Sequence, residues 1–125
     1  MRLPRAARML RPGDFAALRT NATRLTTISF VAEYRHNVGD TARLGMAVSR
    51  RVSKRAVVRN RIRRLIREEF RLHRSLLPHF DILLIARVAA AQRSNRELHS
   101  DLGVIWHKLT ALKETHSPGT MRADS

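Results

Sequence analysis

Stepping 100° per residue from Val58 puts Val58, Ile62, Leu65, Ile66 and Leu72 on one arc of a helical wheel, with Phe70 at its edge. Asn60, Arg63, Arg64, Arg67 and Arg71 fall on the opposite arc. The pattern predicts an amphipathic helix that ends before Pro78, which cannot continue it. Glu69 interrupts the apolar arc, so either the helix is rotated from this placement or Glu69 pairs with a basic neighbour such as Arg59 or His73. From Leu25 the period changes to two: Ile28, Phe30, Ala32 and Tyr34 share one face of a predicted strand and Ser29, Val31, Glu33 and Arg35 the other. Residues 36–40 read as a turn, after which Leu44, Met46 and Val48 alternate with Gly45, Ala47 and Ser49. These two strands are expected to form a hairpin. The small residues on the Gly45–Ala47–Ser49 face imply that something packs close against it.

Phe80–Ala86 is short, continuous and apolar, as expected of a strand covered on both faces in the middle of a sheet. Ser94 and Glu97 have capping-box spacing, and Leu98, Leu102, Ile105, Leu109 and Leu112 continue as a helical stripe that would cover the sheet. Near the start, Asp14 favours a helix N-terminus, with Phe15 and Leu18 as the apolar stripe of a short helix ending near Asn21. The predicted class is α+β, a two-layer sandwich of a three- or four-stranded sheet with helices, in the order α-β-β(-β)-α-β-α. One domain is expected over residues 1–114, with 1–10 as a flexible basic arm and 115–125 as a disordered tail.

Charge changes this picture from a fold to a partner. The chain carries 25 Lys and Arg against 10 Asp and Glu, a net +15, so it is drawn to polyanions whatever its fold. Ten of those cations lie in Arg50–Arg71 with only two acids, Glu68 and Glu69. A helix built for stability alone would interleave acids at i,i+4, since like charges there cost roughly 0.2–0.5 kcal/mol per pair. The prevalence of Arg over Lys favours phosphate, whose oxygens match the guanidinium fork. Membrane binding is not expected, because the aliphatic arc is needed as core and no segment reaches the eighteen or more apolar residues of a span. The Arg-rich N-terminus lacks an apolar stretch typical of a signal peptide, so a cytoplasmic location is expected. With no Cys, disulfides, thiolate nucleophiles and Cys-based zinc sites are excluded. The six His show no metal-ligand spacing, no Gly-rich phosphate loop appears, and no catalytic constellation is evident, so neither a small-molecule substrate nor a protein-borne catalytic centre is expected.

The run VSRRVSKRAVVRNRIRRLIREEFR resembles the signature of the bacterial ribonuclease P protein component, in the Arg59-Asn60-Arg61 triplet, the Ile62-Arg63-Arg64-Leu65 that follows, and Arg67 and Phe70. Glu69 departs from it, standing where that family usually has a small residue. The resemblance implies a subunit of a ribonucleoprotein endoribonuclease. In it a catalytic RNA performs Mg²⁺-dependent hydrolysis, and the protein binds that RNA and the 5′ leader of precursor tRNA. It further implies a left-handed βαβ crossover, against the usual handedness. By motif, Arg59, Asn60, Arg61, Arg63, Arg64 and Arg67 would face the RNA, with Arg50, Arg51 and Lys54 extending the contact. Arg59 and Arg61 border the apolar arc and can equally be packing residues. The leader would lie between the first helix and a sheet face, with Phe15 and one or both of Phe30 and Tyr34 as stacking platforms. Arg19 occupies the position of a second helix aromatic. A ribosomal or other structural RNA-binding protein is the alternative that the charge alone allows.

Overall fold

The computed structural model describes residues 22–37, 39 and 41–115, the side chains of 113–115 excepted. The expected first helix with Phe15, the arm 1–10 and the segment 116–125 lie outside the described residues. Four strands and two long helices follow one another: β1 (Thr23–Thr26), β2 (Phe30–His36), β3 (Arg43–Ala47), α1 (Ala56–His73), β4 (Phe80–Ala86) and α2 (Asn95–Thr115).

The period-two stretch from Leu25 is two strands, not one. Thr27 donates its N–H to the carbonyl of Phe30 at 2.8 Å and accepts the Phe30 N–H on its hydroxyl at 3.1 Å, which turns the chain. β1 and β2 therefore form an antiparallel hairpin, from Thr23 opposite Tyr34 to Thr26 opposite Val31. Ile28, at the tip, is 57% exposed instead of sharing the Phe30 face.

The expected β2–β3 hairpin is likewise replaced. The sheet order is β1-β2-β4-β3, with β4 antiparallel to β2 and parallel to β3. The physical reason lies in β4 itself: all but one of its residues are buried, so its backbone N–H and C=O groups on both edges are out of reach of water and need a strand on each side. Separating β3 from β2 makes β3–α1–β4 a parallel βαβ unit. Residues 37–41 become the link between separated strands. Asn37 fastens it, donating to the carbonyl of Thr41 at 3.2 Å and to Asp81 Oδ1 at 2.9 Å, and accepting the Gly39 N–H at 2.8 Å.

Both helices cover one face of the sheet. Ile62, Leu65, Ile66 and Phe70 of α1 and Leu98, Leu102, Ile105, Trp106 and Leu109 of α2 close on Phe30, Ala32, Tyr34, Leu44, Ile82 and Leu84. Phe30 is 0% exposed and Tyr34 8%, and the Tyr34 ring lies 5.1 Å from Phe80. Neither ring is free to stack on a base, which corrects their expected place in a leader groove. Burial raises the Tyr34 pKa.

The buried arc of α1 is turned from the predicted one, away from Leu72, which is 56% exposed, and toward Phe70. Glu69 then faces α2. Its Oε1 accepts the Trp106 indole N–H at 3.0 Å, its Oε2 lies 2.6 Å from His99 Nδ1, and His73 Nδ1 is 3.7 Å from Oε1. Both explanations for the interrupted arc thus hold together, and His73 is one of the expected partners. α1 ends at His73, a 3-10 turn follows over Arg74–Leu76, and Leu77 is extended before Pro78. At the start of α2 the capping box is formed: the Ser94 N–H reaches Glu97 Oε1 at 2.9 Å and the Glu97 N–H reaches Ser94 Oγ at 3.1 Å. Buried Ser29 bonds Asp101, which also pairs with Arg93 at 3.1 Å, so the β1–β2 turn is tied to α2.

Two expectations follow. Glu69→Ala strands the Trp106 N–H and the His99 ring between the helices, and should lower stability by about 1–3 kcal/mol in chemical denaturation. Glu97 is held below the usual carboxylate range, first by the Ser94 N–H and next by Arg93. A depressed carboxylate contributes fully above its unfolded pKa and loses that contribution as pH falls through the folded value. The melting temperatures of wild type and Glu97→Gln should therefore differ at neutral pH and converge in acid.

Candidate nucleic-acid interface

Residues 48–55 carry the chain from β3 into α1 as two short turns. Ser49 Oγ accepts the Arg51 N–H at 3.2 Å and Ser53 Oγ accepts the Arg55 N–H at 3.1 Å, each a local turn of the kind short hydroxyl side chains support. Buried Val52 pins the loop to the core. Its charged residues, Arg50, Arg51, Lys54 and Arg55, are left exposed.

Two α1 arginines hold this loop from behind. Arg59 Nη1 donates to the Ser53 carbonyl at 2.8 Å, and Arg63 Nη2 donates to the Val48 carbonyl at 3.2 Å while its Nη1 reaches Asn60 Oδ1 at 3.0 Å. Arg61 turns the other way and bonds Asn95 Oδ1 at the start of α2. The predicted basic set therefore divides by role. Arg59, Arg61 and Arg63 are spent at least partly on the fold, as is Asn60, whose side-chain oxygen is taken by Arg63. Among the described residues the side chains of Arg50, Arg51, Lys54, Arg64 and Arg67 have no hydrogen bond or ion pair. Arg55 belongs with them and was missed by motif matching; its position as N-cap of α1 was the available signal.

The N-terminus of α1 adds to this field. Its first turn holds no acid and Arg55 supplies no side-chain cap, so neither neutralises the positive end of the helix dipole. Farther along, Arg64 and Arg67 project outward, and Arg71 is engaged by Glu68. Arg59/Arg63, Arg63/Arg67 and Arg67/Arg71 are like-charged i,i+4 pairs. Their repulsion is relieved when an anion sits between them.

The face of the sheet turned away from the helices is also charged, but differently. Glu33 and Asp81 are buried on it, at 1% and 2% exposure, and each fixes an arginine. Arg24 Nε donates to Glu33 Oε2 at 3.0 Å. Arg43 grips Asp81 with Nε on Oδ1 at 2.8 Å and Nη2 on Oδ2 at 2.9 Å, a bidentate fork across the parallel pair β3–β4. Between these pairs lie the apolar Val31, Leu83 and Ile85. The small face of β3 expected to be closely packed includes buried Gly45, and Ala47 packs against Leu83. Among the described residues no three His, Asp or Glu side chains converge as metal ligands. None of the described helices is long and apolar enough to cross a membrane.

The ribonuclease P family model matches residues 3–110. The ribonuclease P protein component of Thioalkalivibrio sulfidiphilus is 37% identical over 86% of this chain and 89% of its own length. That of Legionella pneumophila (strain Lens) is 38% identical over 86% and 92%. Among solved structures, the RNase P protein of Staphylococcus aureus superposes with a TM-score of 0.78 at 30% identity, covering 85% of this chain and 99% of the other. The RNase P protein from Thermotoga maritima superposes at 0.72 and 28% identity, over 80% and 96%. A family match over residues 3–110, relatives more than a third identical over most of both chains and solved structures that share the fold leave one conclusion: the chain belongs to the ribonuclease P protein family.

Proposed function

We propose that this chain is the protein subunit of a ribonuclease P, binding the catalytic RNA through the loop 48–55 and the outer face of α1 to promote 5′-end maturation of tRNA. The observation that carries this reading is the set of partnerless cations, Arg50, Arg51, Lys54, Arg64 and Arg67, displayed by a loop and helix that other arginines hold in place. A ribosomal or other structural RNA-binding role fits the charge but not the family match. Hydrolysis is assigned to the RNA, in keeping with the family match, and the described residues offer positioning and counter-charge. Mg²⁺ belongs to the same reading, as the metal that the RNA-based holoenzyme uses. A cytoplasmic location belongs to the same reading.

The 5′ leader of precursor tRNA is assigned to the sheet face opposite α1 and α2. There Val31 and Ile85 offer apolar contact between the Arg24 and Arg43 forks, with Phe15 as the aromatic partner. Phe30 and Tyr34 no longer take part. Leader recognition on this face depends more on charge and apolar contact than on stacking.

Reconstitution tests the role: adding the chain to the catalytic RNA of its source should restore precursor cleavage at low Mg²⁺. In the same assay Arg64→Ala and Arg67→Ala should each weaken RNA binding and flatten the slope of log K against log salt by about 0.7–0.9. Unchanged slopes for both would detach the basic face from RNA. Phe15→Ala should weaken the holoenzyme for precursor tRNA by about 1–3 kcal/mol while leaving mature tRNA unaffected. Equal loss for both tRNAs, or a collapse in melting temperature, would return Phe15 to the core.

A further inference from the structure

A cavity of about 280 Å³ opens between α1 and the first turns of α2, lined by Arg61, Arg64, Leu65, Glu68, Asn95 and His99. It lies at the small end of ligand clefts, which run to roughly 300–1,000 Å³, so it has room for one planar ring system and not for a stacked pair. Leu65 is buried and supplies an apolar wall. Arg64 has no partner among the described residues and is exposed beside it. Glu68 is already engaged by Arg71, so its charge is matched within the fold.

The polar lining is held in orientation. Arg61 occupies Asn95 Oδ1, which leaves the Asn95 amide with its Nδ2 donors to offer. His99 Nδ1 lies 2.6 Å from Glu69 Oε2, and Glu69 is fixed in turn by the Trp106 indole N–H. A carboxylate accepts, so Nδ1 carries a proton and Nε2 is the ring nitrogen left to meet a ligand. One amide donor, one imidazole nitrogen, an apolar wall and a guanidinium at the mouth match the edge, face and phosphate of a nucleotide. Because Arg64 belongs also to the basic arc, the cavity is continuous with that arc.

We propose that this cavity receives a single unstacked nucleotide of the catalytic RNA, with Asn95 and His99 on its base edge, Leu65 on its face and Arg64 on its phosphate. The inference rests on the functional reading above and assigns part of the RNA contact to α2. Unpaired, splayed-out bases are what proteins read sequence-specifically in RNA, whereas a helix face of arginines reads only backbone. Glu69 is the positioning residue: it sets the His99 ring without lining the cavity.

The test uses the full chain and the catalytic RNA of its source, comparing wild type with His99→Ala, with Asn95→Trp, which fills the cavity from an exposed position, and with Arg67→Ala. Chemical probing of the RNA at nucleotide resolution is combined with binding across a salt series. One nucleotide should change reactivity when wild-type protein binds. Both cavity variants should abolish that change and weaken binding about tenfold with the salt slope unaltered, because neither side chain neutralises a phosphate. Should His99→Ala melt below the assay temperature, Asn95→Trp alone decides. Wild-type affinity and footprint in the cavity variants, with Arg67→Ala weakened, would overturn the nucleotide site and leave the functional reading standing. If Arg67→Ala is silent as well, the functional reading falls with it.

Discussion

Burial of β4 on both faces is the constraint from which the rest of the architecture follows. Its run Phe80–Ala86 leaves water only when one strand lies on each side, and the chain satisfies this by placing β2 antiparallel and β3 parallel to it. A parallel neighbour needs a crossover, and α1 is that crossover. One side of α1 must then seal the core through Ile62, Leu65, Ile66 and Phe70. Its other side is left outward with no core to fill, which is why so many arginines can be carried there.

That outward side is not uniform. Arg59 and Arg63 donate to backbone carbonyls at Ser53 and Val48 and so shape the loop whose own cations reach solvent. A guanidinium has five donors, and one or two spent internally still leave others for an anion. Holding and contacting are therefore graded along the motif. All three members of the Arg59-Asn60-Arg61 triplet double as fold residues more than Arg64 or Arg67 do, and substitution of Arg59 mixes loop order with charge.

Periodicity in the sequence located β2, β3, β4 and both long helices from local spacing, because period two and period 3.6 are properties of neighbouring residues. Pairing was a different matter. Residues 36–40 have the composition of a hairpin turn and in fact link strands separated by β4, a distinction settled only by which strand needs covering twice. The Thr27–Ser29 turn was hidden because Ile28 continued the alternation across it. Phe30 and Tyr34 were correctly placed on one face, but nothing local says which face the helices cover. At the interface, the identity of the cations was legible and their partners were not: the carbonyls held by Arg59 and Arg63 exist as targets only once the loop has folded. Trp106 was overlooked within α2, although it follows Leu102 by four, and it proved to be what Glu69 holds.

The sheet order has a kinetic consequence. The β1–β2 hairpin and both helices can nucleate from neighbouring residues, within microseconds as isolated events. β4 instead joins positions far apart, with Ala86 opposite Phe30 and Asp81 opposite Arg43. Closing such loops dominates the folding barrier, so the rate is set by the capture of β4 and not by helix formation. On an emerging chain, the arginine-bearing helix is complete before the strand that gives its apolar side a place to dock. For that interval the protein presents its charge ahead of its core.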